Sequence, residues 1–275
     1  MPPAGPIEIY LADLREIQPD LSCYVDMLTD LELSRMDRYL SNDAKMQFVV
    51  GRAMTRWIFA KRWSIRPIEV SFGQTRYGKP FAVTPTGQPA STFNLSHCSS
   101  TVALVLGGGI ELGIDVESIV RNVDINALAE FCLCSSEQQG IDNLFGTERS
   151  TAFFRLWTLK EACVKTLGTG LVTDIKSVTC EFDYTNATFC FTYPRSVLKR
   201  IPAMAAWQFD VPSNDIITLA AADDGMTAFD LRVTRVVAGL EFDSLSIIPV
   251  RGTGWEIAKP LCDSYEPEAK AHNTF

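Results

Sequence analysis

The chain predicts an α/β (α+β) protein, because two long segments with helical spacing are each followed by short strand-like runs and turn-rich loops. A helix, a strand, a turn-rich loop and a hairpin ending in a small-residue strand appear in the first half and again, at low residue identity, in the second. At 275 residues and 47% hydrophobic, the chain can bury one large core or two of ordinary size.

The first helix is expected from Asp43 to Trp63, capped by Asn42 or Asp43. Met46, Val49, Val50, Met54, Trp57, Ile58 and Phe59 recur on one side, and Lys45, Arg52 and Arg56 on the other. Gly51 is unusual in its interior. Pro67 closes the region, Glu69 to Phe72 reads as a short strand, and Thr75-Arg76-Tyr77-Gly78-Lys79-Pro80 as a loop. Phe93 to His97 follows, then Val102 to Leu106 and Ile110 to Glu117, a pair expected to form a hairpin around Gly107-Gly108-Gly109. No Gly-Lys-Ser/Thr follows those glycines, so they make a turn and not a phosphate loop. In the second strand Ile110, Leu112, Ile114 and Val116 point one way, and Glu111, Gly113, Asp115 and Glu117 the other.

A polar stretch from Ser135 to Arg149 precedes the second helix, Phe154 to Lys165, which ends at Leu167-Gly168-Thr169-Gly170. Phe153, Leu156, Leu159, Cys163, Val164 and Leu167 form its apolar face, with Lys160 in the middle. Glu161 and Lys165, four apart, share its flank. On their own these charges read as a solvated Glu-Lys pair beside a snorkelling Lys160. Strand-like runs continue at Ser177 to Phe182, Ala187 to Tyr193, Ala206 to Phe209, Ile216 to Ala221, Leu231 to Val237 and Leu245 to Val250, before a polar end from Pro267 that is expected to be disordered.

Several functions are disfavoured at the outset. No apolar run reaches membrane-spanning length, and Met1-Pro2-Pro3-Ala4-Gly5-Pro6 lacks the basic start and apolar segment of a signal peptide, so a cytoplasmic location is expected. Eight cysteines without a CxxC pair read as small buried hydrophobes in a reducing compartment, Cys132 and Cys134 being the closest two. With only His97 and His272, a histidine-rich metal site is excluded. The Asn-x-Ser/Thr matches at Asn94 and Asn186 are at chance level. The net charge is −8, yet Arg35 to Lys79 holds ten Lys or Arg against three Asp or Glu. A basic segment in an acidic chain suggests a local anion site, not a nucleic-acid surface; a helix with a solvated basic face is the plainer alternative.

Asp115 and Glu117 on one strand face, with Glu161 on a helix, have the oxygen donors a divalent cation such as Mg²⁺ takes when water and a substrate phosphate complete its shell. An edge strand with ordinary acidic residues would look the same, and spacing alone does not bring Glu161 to Asp115. A basic region beside such a site suits a polyphosphorylated ligand. Ser96 and His97, adjacent in extended chain, point to opposite sides, which speaks against a nucleophile and base pair; His97 reads as a phosphate or amide contact or as a capped core histidine.

Gly113-Ile114-Asp115-Val116-Glu117 followed by Trp157-Thr158-Leu159-Lys160-Glu161-Ala162 resembles the paired signature of 4′-phosphopantetheinyl transferases of the surfactin-synthetase-associated type. Gly51-Arg52, Tyr77-Gly78-Lys79-Pro80, Phe93-Asn94-Leu95-Ser96-His97 and Leu167-Gly168-Thr169-Gly170-Leu171 look like that family's other blocks, in its order, over Glu32 to Ala222. The resemblance implies a pseudo-twofold monomer of two similar α/β halves, each a small mostly antiparallel sheet with a long helix. Residues 1–111 then form the half nearer the nucleotide and its 3′-phosphate, residues 112–225 the half with the metal site, and 226–275 a partly disordered extension.

It implies transfer of the phosphopantetheine arm of coenzyme A to a serine of an apo acyl or peptidyl carrier protein, with release of adenosine 3′,5′-bisphosphate. Asp115, Glu117 and Glu161 resemble the Mg²⁺ ligands, and Lys165 the lysine at the diphosphate. Lys79 matches a lysine near the nucleotide, Ser96 and His97 the pair near the 3′-phosphate, and Arg35, Arg38 and Arg52 the basic coenzyme contacts. Glu161 is the expected acceptor of the serine proton. Lys160 is assigned to a buried structural pair. Cys98 departs from a serine found in many relatives, and Cys132 to Glu137 resembles the carrier-docking loop. Neither a nucleic acid nor a membrane is an expected partner. The alternatives are a non-catalytic coenzyme A or nucleotide-binding module and a Mg²⁺-dependent phosphohydrolase.

Overall fold

The computed structural model describes residues 5–17, 21–107, 109–170, 174–183, 188–192, 203–223, 230–237, 241–245 and 251–252. Strand β1 (Ile7–Asp13) leads through short helices α1 (Leu14–Ile17), α2 (Leu21–Val25) and α3 (Asp30–Met36) to the long α4 (Asn42–Trp63). Strands β2 (Ser71–Gln74), β3 (Pro80–Val83), β4 (Pro89–His97), β5 (Thr101–Gly107) and β6 (Leu112–Ser118) follow. Helices α5 (Ile125–Cys132), α6 (Ser135–Asp142) and α7 (Gly146–Leu167) come next, then β7 (Thr179–Asp183), β8 (Thr188–Thr192), β9 (Ala203–Val211), β10 (Asp215–Asp223), β11 (Leu231–Val237), β12 (Glu241–Leu245) and β13 (Arg251–Gly252).

These build four layers. A seven-stranded sheet ordered β12-β11-β1-β5-β4-β3-β2 lies against a four-stranded sheet ordered β13-β9-β10-β6. All described pairings are antiparallel except β1 with β11. Period-2 alternation explains how β5 serves two interfaces. Val102, Leu104 and Leu106 pack with Val50, Met54 and Phe59 of α4, while Ala103 and Val105 face Ile114, Val116, Trp207 and Leu219 of the second sheet. The other face of the second sheet, with Ala206 and Ala220, packs against Leu159, Ala162, Cys163 and Leu167 of α7. Each half thus pairs a small, mostly antiparallel sheet with one long helix, as the sequence suggests.

Four local expectations change. The pair β5 and β6 is not a hairpin: β5 pairs with β1 and β4, and β6 pairs with β10 in the other sheet. Both faces of β5 are apolar and must be covered, which a two-stranded unit cannot do. Helix α7 begins at Gly146, two turns before Phe154, and the preceding polar stretch forms α6. The cap of α4 is Ser41, whose hydroxyl accepts from Ala44 N–H at 3.4 Å, in place of Asn42 or Asp43. The short strand expected at Glu69 to Phe72 begins at Ser71, because Pro67–Glu69 form a 3₁₀ turn.

Leu231–Val237 is a strand as expected, and it takes the place beside β1, in register from Ile7↔Leu231 to Ala12↔Val236. Residues following the second half thereby complete the first sheet. Of the run Leu245 to Val250 only Leu245 is described; Gly108, Leu171, Asn186 and the polar end from Pro267 also lie outside the described residues.

Lys160 sits where its neighbours are apolar, and α6 supplies its partner. Its ammonium meets Glu137 Oε2 at 2.5 Å, with side-chain exposures of 0% and 2%. Glu137 Oε2 also accepts from Cys134 N–H at 2.8 Å, and Oε1 from Cys180 N–H at 2.9 Å. One carboxylate therefore ties α6, α7 and the start of β7 together.

Gly113 lets α7 lie directly on β6. A Cβ there would stand 2.1 Å from Ala162 O and 2.5 Å from Thr166 N, both helix backbone. Further along, Gln208 Nε2 donates to Arg155 O at 2.7 Å, and Thr218 Oγ1 donates to Thr158 Oγ1 at 2.8 Å, fixing the helix along the sheet.

Gly113→Ala is therefore expected to cost about 2–3 kcal/mol through overpacking, seen as a fall of roughly 5–10 °C in Tm. Lys160→Met leaves the Glu137 carboxylate buried and unpaired, with an expected loss of about 3–5 kcal/mol. Lys160→Met with Glu137→Gln should recover most of that loss in chemical denaturation, because no lone charge remains.

Candidate active site

The site forms at the seam between the sheets. Strand β6 is the edge of the second sheet, and its outward N–H groups meet side chains of β4 in the first. Ile114 N–H donates to Asn94 Oδ1 at 2.8 Å, and Val116 N–H donates to Ser96 Oγ at 3.3 Å. Asn94 and Ser96 are two apart on one face of β4, and Ile114 and Val116 two apart on β6, so the side chains stand in for a missing ladder. Phe93 and Leu95, on the opposite face, pack with the α4 core.

That seam puts Asp115 beside α7. Asp115 is 5% exposed. Its Oδ1 accepts from Lys165 Nζ at 2.5 Å and from Ser96 Oγ at 2.8 Å, and Lys165 also donates to Ser96 Oγ at 3.1 Å. Its Oδ2 is buried without a hydrogen-bond partner among the described residues. Glu117 accepts both oxygens' bonds from Arg121, at 3.0 and 3.1 Å, and a further one from the Trp157 side chain.

Charge distribution here is strained. Burial raises the pKa of Glu117, the Asp115 carboxylate raises it further, and Arg121 and Trp157 oppose the rise. Burial likewise raises Glu161; Asp115 and Glu117 add to the rise and Lys165 counters it. The His97 side chain is exposed on the strand end, and its pKa is lowered by desolvation and by Lys165, with Asp115 acting against both. Three carboxylates thus feel one another, and one of them keeps an unused buried oxygen.

Among the described residues no three His, Cys, Asp or Glu side chains close into a cage around a metal. Lys165 already occupies Asp115, and Arg121 already occupies Glu117. The donor chemistry nevertheless suits Mg²⁺, which needs one or two carboxylates and takes its remaining oxygens from water and phosphate. The free Asp115 Oδ2 is such a donor.

The other residues singled out in the sequence lie outside this hydrogen-bonded cluster. Lys79 is buried, with its ammonium on Glu111 Oε2 at 2.5 Å and Thr166 O at 3.2 Å, and desolvation lowers its pKa. Arg35 and Arg38 line an open hollow of about 450 Å³ with Tyr39. Arg52 pairs with Glu32 at 3.1 Å and stacks over Phe72, 4.8 Å from the ring centroid. Arg56 shares Glu32 and donates to the carbonyls of Pro67 and Val70, while Arg62 pairs with Glu8 and Arg66 with Glu69. Much of the basic segment is therefore bound internally, and Arg35 and Arg38 remain at a surface hollow. Cys98 packs in the core between the sheets with Ile114 and Val116 of β6.

Asn94, Arg121 and Trp157 went unrecognised as partners of the site. The polar alternation Asn94, Ser96 within an apolar strand was the available signal for the first. No spacing rule pairs Trp157 with Glu117.

Two family models match the chain. One, described as the 4′-phosphopantetheinyl transferase superfamily, covers residues 111–219. The other, described as 4′-phosphopantetheinyl transferase, N-terminal, covers residues 15–107. Similar proteins include a 4′-phosphopantetheinyl transferase, HetI, of Nostoc sp., 26% identical over 165 residues, which are 60% of this chain and 70% of that protein. The 4′-phosphopantetheinyl transferase pptA of Paxillus involutus is 30% identical over 163 residues, 53% of this chain and 61% of that protein. A 4′-phosphopantetheinyl transferase of Bacillus subtilis is 26% identical over 135 residues, 49% and 57% of the two.

Because the Glu161 pKa lies above its unfolded value, its ionised form weakens the fold, and that penalty is present at neutral pH and disappears as the pH falls through the raised pKa. Glu161→Gln should therefore raise the Tm of the metal-free protein by a few degrees at a pH of about 7 to 8, with the gain shrinking as the pH falls through the raised pKa and gone by about pH 4. Thermal melts at the two pH values check it.

Proposed function

Since the chain belongs to the 4′-phosphopantetheinyl transferase superfamily in both of its halves, we propose that it moves the 4′-phosphopantetheine arm of coenzyme A onto a serine of an apo acyl or peptidyl carrier protein. The proposal extends to the surfactin-synthetase-associated, two-half type acting as a monomer in the cytoplasm. The observation that supports it most is the Ser96–Asp115–Lys165 cluster across the seam, with Glu117 and Glu161 in the same field.

The carrier serine oxygen attacks the phosphorus that bears pantetheine. Its bond to the adenylate phosphate breaks, and the electron pair leaves on adenosine 3′,5′-bisphosphate. Three needs follow: a base for the hydroxyl proton, charge to hold the diphosphate, and charge to hold the leaving group. Glu161 takes the proton, directly or through a water. Burial and its carboxylate neighbours raise its proton affinity, which suits a base working near neutrality.

Lys165, paired with Asp115 and 26% exposed at its side chain, is assigned to the diphosphate. Asp115, Glu117 and Glu161 would hold Mg²⁺, which supplies charge neutralisation at the diphosphate. Arg121 and Trp157 hold Glu117 in its orientation. Ser96 orients Asp115 and Lys165 together. Lys79, His97, Arg35, Arg38 and Arg52 are assigned to the nucleotide and its 3′-phosphate. Of these, Arg35 and Arg38 at their hollow have the most accessible guanidinium groups.

Incubation with coenzyme A, Mg²⁺ and an apo carrier protein should add the mass of one phosphopantetheine to the carrier. An unchanged carrier with bound coenzyme would mean a binding module, and phosphate release without a carrier a phosphohydrolase. Glu161→Gln is expected to lower kcat on the order of a hundredfold or more while the protein stays folded. Near-normal turnover at saturating Mg²⁺ would remove Glu161 from the role of base.

A further inference from the structure

A second buried carboxylate lies across the same seam and takes no part in the chemistry above. Asp215, at the start of β10, is 1% exposed. Its Oδ2 accepts from Ser100 Oγ at 2.7 Å, Thr101 Oγ1 at 2.6 Å and Ser213 Oγ at 2.7 Å. Ser100 and Thr101 belong to the first half, Ser213 and Asp215 to the second. Among the described residues its Oδ1 is buried without a hydrogen-bond partner, and so is the hydroxyl of Ser118, the residue opposite Asp215 in the ladder.

The segment that Asp215 grips continues directly from Ser96 and His97. Cys98 N–H donates to Thr101 O at 2.9 Å and closes the turn. Gln47 Nε2 of α4 donates to Cys98 O at 2.9 Å, and Leu14 N–H donates to Ser100 O at 2.8 Å. Both of these holds come from the first half. The hydroxyl bonds to Asp215, with a Thr101–Ser213 hydroxyl contact at 3.4 Å and the packing of Cys98 between the sheets, are the second half's hold on the turn, and Asp115 and Lys165, which Ser96 touches, belong to that half. A buried carboxylate is costly unless hydrogen-bonded, and three neutral donors on one oxygen compensate it in part. Stability alone would be served as well by apolar residues in place of the carboxylate and its hydroxyl partners together.

We propose that Asp215 is a positioning residue: by holding Ser100 and Thr101 it sets the position of the His97 turn relative to Lys165, and so the fit of the anionic end of coenzyme A. This rests on the transferase reading. In carrier-modification assays Asp215→Ala is expected to raise the KM for coenzyme A about tenfold, with kcat and the carrier KM within about twofold of wild type. Asp215→Asn, which keeps an acceptor for the hydroxyls, should recover most of the loss. His97 and His272 are the two histidines, so His272→Ala leaves one imidazole resonance, which Asp215→Ala should move and Asp215→Asn should largely restore.

An unmoved resonance with an unchanged coenzyme KM in a folded Asp215→Ala protein would overturn the proposal. So would a loss in kcat and both KM values that merely tracks the fall in Tm. If Asp215→Ala does not fold, Asp215→Asn and Ser100→Ala are read by the same measurements and the same criteria. Failure of the wild-type protein to modify any carrier would instead count against the transferase reading, and the imidazole resonance would still report on the turn.

Discussion

Helix α7 lies on β6 with helix backbone against a glycine, and the approach at Gly113 decides where every charge at the site can stand. At that distance Asp115, two residues along the strand, reaches Lys165, and Glu161 comes within the field of both strand carboxylates. A side chain at position 113 would push the helix away from the strand. The buried Lys160–Glu137 pair complements this contact from another side of the helix. With Lys160 held in the interior, Glu161, about 100° further round, is turned to the seam.

Neither half holds the cluster alone. Ser96 comes from the first sheet, Asp115 from the edge of the second, and Lys165 from the helix that covers the second. The N–H groups of β6 that a free edge would expose are taken by Asn94 and Ser96, so the polar contact at the seam and the arrangement of the site share the same hydrogen bonds. The site nonetheless opposes the fold. Gathering Asp115, Glu117 and Glu161 costs stability, which Lys165 and Arg121 offset only in part. Carboxylates held close are what a cation carrying a diphosphate can use, and such a costly cluster marks a candidate functional site.

Much of this was legible in the sequence. Strand alternation placed Asp115 and Glu117 on one face, helical spacing placed Glu161 and Lys165 on one flank, and Lys160 in its apolar sector called for a buried partner. Gly51, unusual in a helix, packs toward Leu95 of β4. What stayed hidden was non-local. Glu137 as the partner of Lys160 lies 23 residues away, in a polar stretch with no local signal for a buried ion pair. The pairing of β6 with β10 in place of β5 depends on which faces the two sheets bury, and period-2 patterns do not say which strand is the neighbour. Nor does any local signal foretell that Leu231–Val237 returns to run parallel to β1.

The proposal that the three carboxylates form a cation site together with the diphosphate is tested most directly by binding of Mn²⁺, followed by paramagnetic resonance, in the presence of coenzyme A. One Mn²⁺ should be taken up per chain, more tightly with coenzyme A than without, and Asp115→Asn should abolish the coenzyme-dependent part. Equal Mn²⁺ binding by wild type and Asp115→Asn, or binding indifferent to coenzyme A, would contradict it.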